Sequence, residues 1–100
     1  MKLTGNEKKY LRGLAHHLDP VIHIGKNGLT DAVITSIVEV LFAHELVKIK
    51  FIDYKEEKEE LSTEIAEKTK SGLAGIIGNI AIFYKPHPDK ELREIDLKNA

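Results

Sequence analysis

The residues best suited to chemistry are Val21-Ile22-His23-Ile24-Gly25-Lys26-Asn27-Gly28-Leu29-Thr30. A short apolar run leads into a Gly-x-x-Gly turn that carries a lysine, and the pattern of a helix start follows. Glycine allows positive φ and lets a bulky group approach the backbone closely. The first N–H groups of a helix have no partner within it and carry partial positive charge. With Lys26 between the glycines, the segment suits a phosphate or a nucleic-acid backbone. The competing reading is plain turn chemistry. The spacing fits neither Gly-x-x-x-x-Gly-Lys-Ser/Thr nor Gly-x-Gly-x-x-Gly. An extended backbone is therefore a better ligand for it than a mononucleotide.

Other reactive residues form no recognisable constellation. His16, His17, His23, His44 and His87 show no metal-ligand spacing, so no metal is expected. His23 adjoins the glycine turn and is placed to touch a ligand there. Glu56, Glu57, Glu59 and Glu60 alternate with Lys55 and Lys58, which reads as a solvated helix face rather than paired catalytic carboxylates. Ser36, Ser62 and Ser71 lie in no nucleophile-elbow context. Nothing assembles nucleophile, base and oxyanion donors. The chain reads as a non-enzyme without catalytic residues or cofactor.

Composition fits a globular domain. The 100 residues are 42% hydrophobic and 31% charged, enough to build a core. There is no cysteine, which excludes disulfides and thiolate chemistry. No apolar run approaches the roughly 20 residues of a membrane span. Met1–Glu7 lacks the apolar block of a secretory signal, so a cytoplasmic location is expected. The net charge of −1 hides an asymmetry. Residues 1–30 carry Lys2, Lys8, Lys9, Arg12 and Lys26 against Glu7 and Asp19, a balance of +3. The remainder carries −4, and Asp53–Glu67 alone −5. One basic and one acidic surface are expected, and screening lets a basic patch act alone beyond about 8–10 Å.

The elements that must position these residues follow from periodicity. Thr4-Gly5-Asn6-Glu7 has the form of a capping box. Tyr10, Leu11, Leu14, Ala15 and Leu18 fall at helical spacing, predicting a first helix from Asn6 to His17 that stops before Pro20. Its opposite face shows Lys8, Lys9, Arg12 and His16 as neighbours. Val21–Ile24 is the first strand. Thr30–Ala43 is a second helix, apolar nearly all round and so expected to be central and packed on a sheet. Leu46–Ile52 alternates as a half-buried strand. Lys55–Lys70 is a charged helix with a thin stripe of Leu61, Ile65 and Ala66. Gly72–Ile77 and Ile80–Lys85 are strands joined by a tight Gly78-Asn79 turn, and the glycine repeat Gly72, Gly75, Gly78 signals bulges and close backbone packing. Residues 1–86 form one domain and residues 87–100 a polar tail, with Ile95 and Leu97 as an edge strand or a loose end. The order α-β-α-β-α-β-β contains two strand–helix–strand crossovers and implies parallel pairing in a two-layer α+β domain.

Several segments together resemble the CRM domain (chloroplast RNA splicing and ribosome maturation), in its stand-alone bacterial, YhbY-like form. They are Leu3-Thr4, Leu14-Ala15-His16-His17-Leu18, Ile24–Thr30, Gly75-Ile76-Ile77-Gly78 and Phe83-Tyr84-Lys85-Pro86. The likeness spans Leu3 to about Pro86. It implies a mixed four-stranded sheet similar to the C-terminal domain of translation initiation factor three. It also implies RNA binding, in association with precursors of the large ribosomal subunit. The family's Gly-x-x-Gly loop falls on Gly25–Gly28 and is regarded as an RNA contact. KH domains carry a comparable loop between two helices; here it lies between a strand and a helix. Where the family often has arginine before the proline after the last strand, this chain has Lys85, which lacks the planar fork.

The expected mechanism is a clamp on RNA backbone by a monomer. Gly25 and Gly28 admit phosphates, Lys26 pairs with one and, with Asn27, forms the loop tip. N–H groups near Leu29 and Thr30 take another, while Lys8, Lys9, Arg12 and His16 extend the track. With six aromatic residues, mostly in apolar patterns, bases should be read lightly. The alternative is a protein–protein adaptor working through the acidic third helix.

Overall fold

A computed structural model of the protein describes all of residues 1–100. Its elements are α1 (Gly5–Ala15), β1 (Ile22–Ile24), α2 (Asp31–His44), β2 (Leu46–Phe51), α3 (Lys58–Thr69), β3 (Gly72–Ile77) and β4 (Ile80–Tyr84). Thr4 caps α1 reciprocally with Glu7, as the capping-box sequence implies. α1 ends at Ala15, two residues short of the expected limit. The stretch expected as one charged helix from Lys55 begins instead with a 3₁₀ turn, Lys55–Glu57, before α3. No helix is long and apolar enough to cross a membrane.

The fold is α+β around a mixed sheet of order β1-β2-β4-β3. β1 and β2 are parallel, joined through α2; β4 is antiparallel to both β2 and β3. Only the first crossover therefore joins adjacent strands. The second, through α3, carries β3 one place further, and the tight hairpin returns β4 into the gap between β2 and β3. The hairpin at Gly78-Asn79 (φ +59 at Gly78) sets β4 beside β3, and β4 uses its other edge to pair with β2, which leaves β3 at the sheet edge.

The expectation of two layers needs correction. β2 and β4 present apolar residues on both faces, so both faces need covering. One face, with Val47, Ile49, Phe51, Ala81 and Phe83, packs with Ile37 and Leu41 of α2 and Ile65 of α3. The other, with Leu46, Ala74, Ile82 and Tyr84, packs with Leu3 and with Leu11 and Ala15 of α1. α1 thus forms a third layer. α2 is not enclosed all round: Ile37 and Leu41 are buried, whereas Val38 and Phe42 are exposed. Each helix needs only one face for the sheet.

The tail is part of the body. Glu45, 4% exposed, takes N–H groups of the C-terminal segment on its carboxylate: His87 on Oε2 at 2.9 Å, Glu94 and Ile95 on Oε1 at 2.8 and 3.2 Å. Ile95 and Leu97 pack on the α1 side of the sheet. Instead of an edge strand, residues 87–100 form two 3₁₀ turns, Lys90–Leu92 and Leu97–Asn99.

Candidate nucleic-acid interface

β1 delivers the Gly25–Gly28 turn at one end of the sheet. The Ile24 carbonyl accepts the N–H groups of both Ile52 and Asp53, tying the start of the turn to the end of β2. The turn closes by Gly28 N–H donating to the Gly25 carbonyl at 3.0 Å. The two glycines have different tasks. Gly28 has φ +67 and is buried, and a Cβ there would meet the Tyr54 ring at 3.3 Å. Gly25 has no positive φ, and a Cβ there would meet nothing within 4 Å. Of the two, only Gly28 uses the positive φ that glycine allows.

Tyr54 holds the turn from behind. Its ring lies against Gly28 and its hydroxyl donates to the Lys26 carbonyl at 2.9 Å. Tyr54 itself adopts φ +57, a costly conformation for a non-glycine residue. No sequence pattern singled it out, because the contact joins residues 28 apart. The N–H groups of Lys26, Asn27, Leu29 and Thr30 make no hydrogen bond within the protein. The Lys26 and Asn27 side chains are exposed and unpaired, and the single ion pair of the structure is Lys68–Glu64, elsewhere. Thr30 caps α2 through its hydroxyl on the Val33 N–H at 3.2 Å. Asp31, exposed in the first turn of α2, weakens the attraction of that helix end for anions. The helix tip is therefore less suited to an anion than the turn itself.

The basic face of α1 is not continuous with this turn. Arg12 lies down over β3, and its Nη1 donates to the Ala74 carbonyl at 2.9 Å. Ala74 is the extra residue of a bulge between Leu73 and Gly75, and a Cβ on Gly75 would meet Arg12 Cδ at 2.8 Å. Arg12 thus closes a bulge, with Lys8 beside it facing Glu59 and Thr63 of α3 across the β3 edge. β3 and β1 are opposite edges of the sheet, roughly 14 Å apart at three strand spacings. Lys9 points to the other side of α1, with Asn6 and Gly13. His16 is exposed and meets His17 edge-on.

The sheet brings further cations to the end of β1 that leads into the turn. His23 is the register partner of Lys50, and both stand on the α1 face, where Lys48 also lies. Lys50 and His23 are exposed; Lys48 donates to the Leu18 carbonyl at 2.9 Å. The alternation of Lys48 and Lys50 identified a strand, while its pairing with His23 needed the register.

The sequence pattern of the CRS1 / YhbY (CRM) domain family matches residues 3–85. The chain belongs to that family. Among CRM relatives, YqeI of Bacillus subtilis, named a probable RNA-binding protein, is 38% identical over 96 residues, covering 95% of this chain and 98% of its own. A Haemophilus influenzae protein named an RNA-binding protein is 37% identical over 92 residues, covering 91% of this chain and 93% of its own. The solution structure of a Staphylococcus aureus protein, described as a candidate RNA-binding protein, matches with a TM-score of 0.79 at 34% identity. That match covers 95% of this chain and 100% of the other.

Proposed function

We propose that this protein binds RNA by gripping its backbone at the Gly25–Gly28 turn, as a binding module and not as an enzyme. The observation that carries this reading is the state of the turn. Four N–H groups lie unsatisfied beside an unpaired lysine, and Gly25 is a glycine for which the fold has no need. Exposed N–H groups around a cation form a nest for phosphate oxygens. The absent Cβ at Gly25 leaves room for a phosphate to reach them. Lys50 and His23 continue the positive surface along the α1 face of the sheet. The names of the relatives support RNA as the polyanion. The likeness to the YhbY-like group supports a precursor of the large ribosomal subunit as its source, bound by a monomer.

Replacing Lys26 and Asn27 together by alanine tests the reading. Binding of single-stranded RNA, followed by fluorescence anisotropy, should weaken while the melting temperature stays unchanged. With three to five phosphates held, log affinity should fall against log salt with a slope of about −2 to −4, made shallower by about one when Lys26 is removed. Unchanged binding in the double variant refutes the clamp and shifts attention to the acidic surface of α3.

A further inference from the structure

A groove of about 550 Å³ opens beside α1, at a distance from the Gly25–Gly28 turn. Tyr10, Leu14, Leu18, Leu46 and Ile95 give it an apolar lining. Leu14 and Leu18 are 40% and 41% exposed, so the lining faces solvent. Its far wall is held firmly, because the Glu94 and Ile95 N–H groups both bind Oε1 of buried Glu45.

β2 links this groove to the turn. Leu46, Lys48 and Lys50 share one face of the strand, with steps of about 7 Å. Leu46 and Lys48 line the groove, and Lys50 stands beside His23, which precedes Ile24 and the turn. A path of positive charge thus runs from the free N–H groups to the mouth of an apolar slot. Each step is about the length of one stretched nucleotide.

We propose that the groove receives one unstacked nucleobase of a single-stranded RNA whose backbone follows Lys50 to the turn; this rests on the RNA-binding reading above. A flat heteroaromatic ring buries its faces against apolar and aromatic side chains and needs partners along its edge. The polar part of the lining holds two carboxylates, Asp19 and Glu94, beside Tyr10, His44 and Lys48, the last already donating to the Leu18 carbonyl. The two carboxylates favour a base that offers adjacent donors on one edge. Guanine presents its N1–H and 2-amino donors side by side, matching the two oxygens of a carboxylate. Adenine would turn a ring-nitrogen acceptor toward the same oxygens, and uracil has one donor flanked by two carbonyls. A lipid tail or apolar peptide would leave both carboxylates unpaired and draw nothing from the cationic path.

The test is a methyl and amide NMR titration of the full chain with a uridine hexanucleotide carrying one guanosine, against the same oligomer with that position abasic. The guanosine oligomer should shift the methyls of Leu14, Leu18, Leu46 and Ile95 as well as the amides of Lys26–Thr30. It should bind about tenfold more tightly than the abasic one. Leu14→Trp, which fills the slot from an exposed position, should remove that difference and leave abasic binding intact. Equal affinities with turn amides shifting and groove methyls still would overturn the base slot while sparing the clamp. No shift at either place would overturn both.

Discussion

The unequal roles of Gly25 and Gly28 make a paired experiment whose two arms move in opposite directions. At Gly28 the backbone has φ +67, which costs an L side chain about 1–2 kcal/mol, and an added Cβ would also press the Tyr54 ring at 3.3 Å. Gly28→Ala should therefore lower the melting temperature by about 5–15 °C for a domain of this size. At Gly25 the backbone is ordinary and the space open, so Gly25→Ala should raise stability by about 0.4–1 kcal/mol through the unfolded chain alone. That corresponds to a gain of about 2–8 °C. The same methyl stands where a phosphate must approach the free N–H groups of the turn, so RNA affinity should fall. Thermal melting by circular dichroism gives the first readout and anisotropy with labelled single-stranded RNA the second. A Gly25→Ala protein that melts higher and binds as tightly as the parent refutes close approach at the turn. A Gly28→Ala protein with unchanged melting refutes the need for positive φ.

Arg12→Lys should cost about 1–3 kcal/mol in urea unfolding, because the Ala74 carbonyl of the bulge loses its guanidinium donor, and RNA affinity should change less than it does in Lys26→Ala. Glu45→Ala should speed hydrogen exchange at His87, Glu94 and Ile95 well before the sheet amides respond, since one carboxylate holds all three. Burial, and secondarily the Glu45 carboxylate, raises the Tyr84 phenol above its ordinary value of 10.0. Its folded pKa thus exceeds its unfolded one, so this stabilisation is complete below about pH 10 and is lost as pH rises through the folded value. Tyr84→Phe should flatten the alkaline decline in stability, and an unaltered decline would exclude Tyr84 as its source.

Local signals carried most of the elements. The Thr4–Glu7 capping box, the stop before Pro20, the alternation in Leu46–Phe51 and the Gly78-Asn79 hairpin each rest on neighbours within a few residues. The turn at Gly25–Gly28 was visible for the same reason. What the helical pattern of α1 left open was the destination of its basic face. Spacing shows that Lys8 and Arg12 are neighbours, but whether they meet solvent, RNA or a bulge depends on a strand 62 residues further on. Tyr54 and Glu45 were illegible because their partners lie 28 and more than 40 residues away.

Sequence alone decided the succession of helices and strands, the Gly-Lys-Asn-Gly turn and the segregation of charge, because caps, turn chemistry and side-chain periodicity act over a few residues. Tertiary structure decided that β4 slips between β2 and β3, that α1 covers a second face and that Arg12 serves the bulge. It also bound the C-terminal segment to Glu45 and ranged Lys50 with His23 beside the turn. These outcomes depend on strand register and on two-sided burial, which exist only once distant segments share one sheet.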